Sequence, residues 1–243
     1  MRIKQLKDLW AKAFGDSETA IDLFFGSAYA PERCRFLEED GNITAALYWM
    51  DAEYAGQRFA YIYGVATDPE HRGKGLCRKL MGKTHAELIA MGYAGAVLMP
   101  AEAGLRQMYA KLGYSECSTI SQFDCEAGKP VEVRAIGREE YARLRRSFLP
   151  EDGLIQEGEN LVYLETYAQT YAGEGFVLAA VHDEGKLFGM ELLGNASAAP
   201  GILGAMGYET GTFRTPGGEI PFGMGIALRE NVKMPGYLGL AFD

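Results

Sequence analysis

The stretch Gly64 to Leu80, read Gly-Val-Ala-Thr-Asp-Pro-Glu-His-Arg-Gly-Lys-Gly-Leu-Cys-Arg-Lys-Leu, limits what the chain can fold into more than any other. Phe59 to Thr67 is rich in aromatic and β-branched residues and reads as a buried strand. Asp68-Pro69 ends it, because proline cannot donate to a central ladder. After Arg72-Gly73-Lys74-Gly75 the positions Leu76, Leu80, Met81, Thr84 and Leu88 recur at helical spacing, so the glycines fall where a helix begins. The first turn of a helix carries backbone N–H groups without intrahelical partners and the positive end of the dipole. Two residues without Cβ, with Arg72 and Lys74 beside them, make that turn a cradle for a pyrophosphate or a similar polyanion.

Which phosphate loop this is can be narrowed by spacing. A Walker loop requires Lys and then Ser or Thr after its last glycine, and here Gly75 is followed by Leu76; the dinucleotide fingerprint requires a further glycine that is missing. The spacing Arg72-x-x-Gly75-x-Cys77 resembles motif A of the GNAT acetyltransferases, Arg/Gln-x-x-Gly-x-Gly/Ala. The resemblance implies that Arg72, Gly73, Lys74, Gly75, Leu76 and Cys77 hold the pyrophosphate of acetyl-CoA, and that Val65, Ala66 and Thr67 run beside its pantetheine arm. Cys77 stands where the family has Gly or Ala. Cysteine is small, so this implies some crowding near the phosphates without exclusion of the cofactor. The plain alternative is an ordinary strand-turn-helix with a Gly-rich turn.

At 243 residues, 48% hydrophobic and 12% aromatic, the chain is long and apolar enough for one large or two small packed domains. No run approaches ~18 apolar residues and no charged leader with an apolar run opens the chain. Neither a membrane association nor a signal peptide is therefore expected, and a cytoplasmic location is. The four cysteines, Cys34, Cys77, Cys117 and Cys125, form no C-x-x-C pair, and with three histidines no metal site is expected. A formal charge of −9 argues against a nucleic-acid partner, which a basic stripe would announce, and suits a cationic small substrate.

Taken in order, Ile3, Leu6, Leu9, Trp10 and Ala13 predict a first helix, and Ile21, Phe24, Phe25 and Ala28 a second that begins near Ser17. Cys34 to Glu38 and Ile43 to Tyr54, with Asp40-Gly41 between them, predict a hairpin. The cradle strand and helix follow, then Ala94 to Met99 as a short buried parallel strand. From Ala103, Leu105, Met108 and Leu112 lie on one helical face that stops at Gly113. Tyr109-x-Lys111-x-Gly113-Tyr114 resembles the GNAT helix ending Tyr-x-Lys-x-Gly-Phe, although Glu102 stands where many relatives have Asn. The resemblance implies an α/β (α+β) fold, with a mixed, mostly antiparallel sheet flanked by helices, and makes Tyr109 the acid that protonates the departing thiolate. Its alternative is a core tyrosine with a satisfied hydroxyl.

Glu126-Ala127-Gly128-Lys129-Pro130 shifts the composition and predicts a boundary between a domain of residues 1–126 and one of residues 131–243. In the second, Val131 to Ala135 reads as a strand, Tyr141, Leu144 and Phe148 as a helix, and Leu161, Leu164, Ala168 and Tyr171 as another. Phe176 to His182 and Lys186 to Leu193 read as a hairpin and Ala198 to Met206 as a short helix. Gly211 to Thr215, Ile220 to Leu228 and Tyr237 to Phe242 read as strands. No Arg-x-x-Gly-x-Gly follows residue 130, so this half resembles a degenerate GNAT-like domain of the tandem type. The phrase Gly64-Val-Ala-Thr-x-Pro-Glu70 loosely resembles the enhanced-intracellular-survival acetyltransferases, whose sterol-carrier-like third region has no room here.

These readings make the chain an N-acetyltransferase that moves an acetyl group from acetyl-CoA to a primary amine of a small cationic acceptor. The rival is a non-catalytic acyl-CoA-binding module. Transfer needs a base for the ammonium proton and a donor for the thioester carbonyl besides the acid. In the family a backbone N–H at Val65 to Thr67 is the donor, and the base is left open among Asp51, Glu53 and Tyr63. Glu191 and Arg214 are charged residues on apolar strands, where a lone charge is costly. Two readings of them stand together: a Glu191 to Arg214 ion pair, or a lid in which Glu191 and the carboxylates of Asp243 face the amine.

Overall fold

The computed structural model describes residues 2–242. The chain divides into two compact units, each discontinuous in sequence: Met1–Ser115 with Met224–Met234, and Glu116–Gly223 with Pro235–Asp243. The boundary expected at residues 126–131 therefore falls inside the second unit. Its Gly/Pro stretch is no loose linker. The Gly128 amide donates to the Pro200 carbonyl at 2.8 Å, and a Cβ on Gly204 would lie 2.2 Å from the Gly128 carbonyl oxygen.

The first unit opens with helices α1 (Arg2–Phe14) and α2 (Glu18–Ser27), the latter capped by the Ser17 hydroxyl on the Ala20 amide. Strands β1 (Cys34–Glu39), β2 (Asn42–Tyr54) and β3 (Gln57–Thr67) form an antiparallel meander. Helix α3 (Leu76–Ala90) crosses over to β4 (Gly95–Leu98), which pairs parallel with β3, and α4 (Ala103–Ala110) follows. The sheet continues past β4 through Met224–Ala227, which pair antiparallel with Gly95–Leu98. Leu80, Met81 and Leu88 of α3 are fully buried against Leu47, Trp49, Ile62 and Leu98. Burial of each such side chain contributes about 1.5–3 kcal/mol, so the apolar face of α3 fixes it on the sheet while its start is left at the surface.

The second unit begins with β5 (Ser115–Glu126) and continues through β6 (Arg134–Ala135), α5 (Arg138–Phe148), β7 (Ile155–Gln156) and α6 (Glu159–Leu164). After it come β8 (Gln169–Gly173), β9 (Phe176–Asp183), β10 (Lys186–Gly194), α7 (Ala199–Met206), β11 (Thr210–Pro216) and the start of β12 (Ile220–Ala227), whose residues from Met224 on belong to the first unit. The unit's strands run in the order β5-β11-β10-β9-β8-β6. Only β10 with β11 is parallel among the pairings described within it.

Four readings of the sequence are corrected here. Ala168 and Tyr171 do not extend a helix: α6 ends at Leu164, and Gln169–Gly173 pair with Phe176–Ala180 as β8. Val131 to Val133 are not strand, leaving Arg134–Ala135 alone in β6. Ser115–Glu126, read as no element, is a twelve-residue strand whose polar alternation exposes most of one face. Tyr237 to Phe242 is buried but makes only one isolated bridge, Tyr237 to Gly153, and is not a strand.

Candidate active site

The site of the first unit starts with an irregularity in β3. Ala46 pairs with Ala66 and Tyr48 with Tyr63, so Gly64 and Val65 oppose Leu47 alone. This is a β-bulge, which bends its strand and takes a residue out of the ladder. Gly64 has φ +57°, and a Cβ there would meet the Trp10 ring at 2.8 Å. Both the backbone and the neighbour require glycine. On the other edge β3 pairs with β4 only over Phe59–Tyr61 against Gly95–Val97. The strands part beyond Tyr61, and Val65, Ala66 and Thr67 fall on the departing stretch.

The turn after β3 is held from outside the cradle. The Asp68 carboxylate accepts from the Glu70 amide at 3.0 Å and from Lys12 Nζ at 3.2 Å. Arg72, expected to face a phosphate, donates from Nε to the Thr67 carbonyl at 3.4 Å and from its terminal nitrogen to the Ala13 carbonyl at 3.3 Å. It braces the turn against β3 and the end of α1. Gly73 and Gly75 have φ of +78° and +77°, and a Cβ on either would meet nothing within 4 Å. Residues 72 to 75 are exposed. The first intrahelical bond at this end runs from the Lys79 amide to the Gly75 carbonyl at 3.0 Å, so the amides of Leu76, Cys77 and Arg78 have no carbonyl a turn earlier in α3. An exposed helix start with glycine at its cap and room in front of it fits a phosphate group.

Tyr109 comes from α4 and lies near Cys77 in the first turn of α3. It is 6% exposed and packs in one apolar cluster with Val65, Leu76 and Cys77. Burial pushes its phenol well above the ordinary range, and the nearby Cys77 thiol pushes it in the same direction. Burial also raises the Cys77 thiol. Tyr109 therefore keeps its proton at neutral pH. Among the described residues its hydroxyl has no hydrogen-bond partner, whereas the neighbouring Tyr114 hydroxyl lies 2.9 Å from His85 Nε2. Val65, Leu76 and Cys77 thus pack against the core cluster that holds Tyr109, and Tyr109 lies near Cys77.

The candidates for the base fare differently. Asp51 accepts from the Tyr93 hydroxyl and lies 3.5 Å from Arg58, so it is tied into a polar group. Glu53 is exposed on β2. Tyr63 is half-buried, with its ring 5.3 Å from Phe24 and 5.7 Å from Trp10. It belongs to an aromatic group with Phe25, Tyr29 and Tyr48. Tyr48 is 2% exposed, and its hydroxyl has no partner among the described residues.

In the second unit the expected Glu191 to Arg214 pair is replaced by another. Glu191 is fully buried and accepts from Arg145 twice, at 2.7 and 3.0 Å, from the Tyr141 hydroxyl at 2.8 Å and from the Tyr237 hydroxyl at 3.2 Å. Both oxygens are engaged inside the core, so the carboxylate has no face left for an amine. Arg214 donates to Gln122 at 3.1 Å and stacks over Phe188 and Phe222. Asp243 lies outside the described residues. Arg145 was hidden in the sequence because it sits in a charged helix, Arg-Glu-Glu-Tyr-Ala-Arg-Leu-Arg-Arg, that reads as solvated. Among the described residues no three His, Cys, Asp or Glu side chains gather to hold a metal, and no helix is long and apolar enough to cross a membrane.

Comparison with known proteins follows the same division. Residues 2–117 match the family model described as an acetyltransferase (GNAT) domain. The first unit has the GNAT fold. No curated protein matches the chain's sequence. Among solved structures, a GCN5-related N-acetyltransferase from Anabaena variabilis matches 94% of the chain and 71% of its own, with 14% identity and a TM-score of 0.74. Eis1 from Mycobacterium abscessus matches 94% of the chain and 72% of its own, with 11% identity and a TM-score of 0.68. A tandem GNAT protein from the clavulanic acid biosynthesis pathway matches 95% of the chain and 96% of its own, with 11% identity and a TM-score of 0.54. Likenesses this distant show a shared fold, and they extend the GNAT architecture across both units.

Proposed function

We propose that the first unit is an acetyl-CoA-dependent N-acetyltransferase acting on a primary amine of a small cationic acceptor. The observation that carries this reading is the exposed, glycine-capped start of α3 after the bulged strand β3, with the protonated Tyr109 near Cys77 in the first turn of that helix. Gly73, Lys74, Gly75 and the amides of Leu76, Cys77 and Arg78 would hold the pyrophosphate, while Arg72 braces the turn from behind. The cofactor supplies the thioester when bound. The stretch Val65 to Thr67, beyond the pairing with β4, has backbone amides that can stabilise charge developing on a carbonyl oxygen. Tyr109 would give a proton to a leaving thiolate, and its raised pKa keeps that proton available. The net charge of −9 and the half-buried rings of Phe25, Tyr29 and Tyr63 suit a cationic acceptor.

The test is release of free CoA from acetyl-CoA over a panel of polyamines, aminoglycosides, amino acids and peptide N-termini. Amine-dependent release that disappears in Tyr109→Phe is the expected result. Binding of acetyl-CoA without turnover on any amine would replace the enzyme by an acyl-CoA-binding module, the reading that Cys77 in place of Gly or Ala favours.

A further inference from the structure

The second unit repeats the parting strands of the first and fills the space with its own chain. β10 pairs parallel with β11 over Leu187–Gly189 against Gly211–Phe213. Its ladder with β9 then slips between Gly189 and Glu191, so that Met190 is the extra residue of a bulge. Glu191 lies on the departing stretch of β10. On the opposite flank β11 pairs with β5 as far as Pro216 against Ile120, and Ser118 lies two residues before that point on β5.

The segment Pro235–Phe242 reaches both flanks. Tyr237 donates to Glu191, and the Leu238 amide donates to the Ser118 hydroxyl at 2.9 Å. Its backbone is recognised as a bound peptide would be. Gln156 grips one residue from two sides: its side-chain amide donates to the Leu240 carbonyl at 2.6 Å, and its carbonyl accepts from the Leu240 amide at 3.1 Å. The Leu154 amide donates to the Tyr237 carbonyl at 2.8 Å, and the Asp152 carbonyl accepts from Gly236 at 2.9 Å. Tyr237, Leu238, Leu240, Ala241 and Phe242 are each no more than 6% exposed. Gly239 has φ +80°, and a Cβ there would come within 2.3 Å of Glu191 and 2.7 Å of Arg145. The buried ion pair is thus part of the wall against which this segment lies.

We infer that the parted strands of the second unit form a peptide-binding groove whose ligand is the chain's own segment Pro235–Phe242. The groove takes an apolar Gly-Tyr-Leu-Gly-Leu-Ala-Phe sequence by its backbone, through Gln156, Ser118 and Leu154 in place of a strand ladder, and selects glycine at the fourth place through the Glu191 to Arg145 pair. The inference is independent of catalysis in the first unit.

It is tested in the full-length chain with a site-specific protease sequence inserted after Asn231, in an exposed turn. After cleavage, residues 232–243 should stay with the protein through gel filtration, and an excess of a fluorescent synthetic peptide of the same residues should exchange with them. A free peptide eluting apart from a body whose circular dichroism is unchanged would overturn the inference. Should the cut chain unfold, the intact Gln156→Leu variant decides. Hydrogen exchange at the Leu240 amide should then speed up about tenfold to a hundredfold while β9 keeps its protection, since an unsatisfied buried donor costs about 1–3 kcal/mol. Unchanged protection of Leu240 would contradict it.

Discussion

The two units part their strands in the same way and end in opposite states at the helix that follows. In the first, β3 leaves β4 after three parallel pairs, bulges at Gly64-Val65 and runs through an exposed turn to the glycine-capped α3, fifteen residues long. In the second, β10 leaves β11 after three parallel pairs and bulges at Met190, and the chain then enters an Asn195-capped turn. The helix there is eight residues long, with Pro200 in its first turn and Ala199 and Gly201 buried at its start. Proline has no amide to offer, and buried alanines leave no approach to the remaining ones. The scaffold can therefore be kept while the helix start that would take an anion is covered. What decides is whether the first turn of one helix is bare or covered.

Four substitutions sharpen that contrast, the largest effect first. Tyr109→Phe in the first unit should lower kcat about 10²–10⁴-fold and leave acetyl-CoA affinity unchanged, because a general acid acts on the departing group. The wild-type rate should show no loss from deprotonation of Tyr109 near pH ~10, where a free phenol ionises, because burial raises this one. An equal kcat in the variant would remove Tyr109 from the mechanism. Glu191→Ala in the second unit should cost about 3–5 kcal/mol, since it strands Arg145 as a buried charge. Asp51→Ala in the first should cost about 1 kcal/mol or less, its partner Arg58 being largely exposed. Calorimetric unfolding that gave the two equal losses would show that the Glu191 network is not the closed core described above. Smallest is Tyr48→Phe, which removes a buried hydroxyl without a partner and should stabilise the first unit by about 1 kcal/mol. A lowered Tm would mean that the hydroxyl is satisfied in solution.

How far the sequence showed this depends on the range of the forces involved. Elements built on local periodicity and turn chemistry were legible: α3 after Gly75, the hairpin over Asp40-Gly41 and the hairpin over Asp183-Glu184-Gly185. Strand β5 was missed because only Ser118 and Ile120 of its twelve residues are buried, too few for an apolar alternation. Tyr237 to Phe242 has the composition of a strand but satisfies its backbone on Gln156, Ser118 and Leu154 rather than in a ladder. Arg145 and Glu191 lie 46 positions apart, and nothing local joins them. Arg72 matched its motif while its side chain turned to the carbonyls of Thr67 and Ala13, since a spacing pattern specifies the backbone turn and not where a long side chain docks. The cofactor-binding candidates Val65 and Cys77 and the catalytic candidate Tyr109 were legible through resemblance. Their meeting in one cluster needed the fold.

The central claim is that one bare helix start, at Gly75, serves the whole chain. Isothermal titration of acetyl-CoA measures it most directly. The account predicts one site per chain in the wild type and none in Gly75→Asp, which sets a carboxylate before the amides of Leu76 and Cys77 and places a side chain at φ +77°. Circular dichroism and the Tm of the variant must show that it is folded. Two sites in the wild type, or one site surviving in a folded Gly75→Asp, would contradict it.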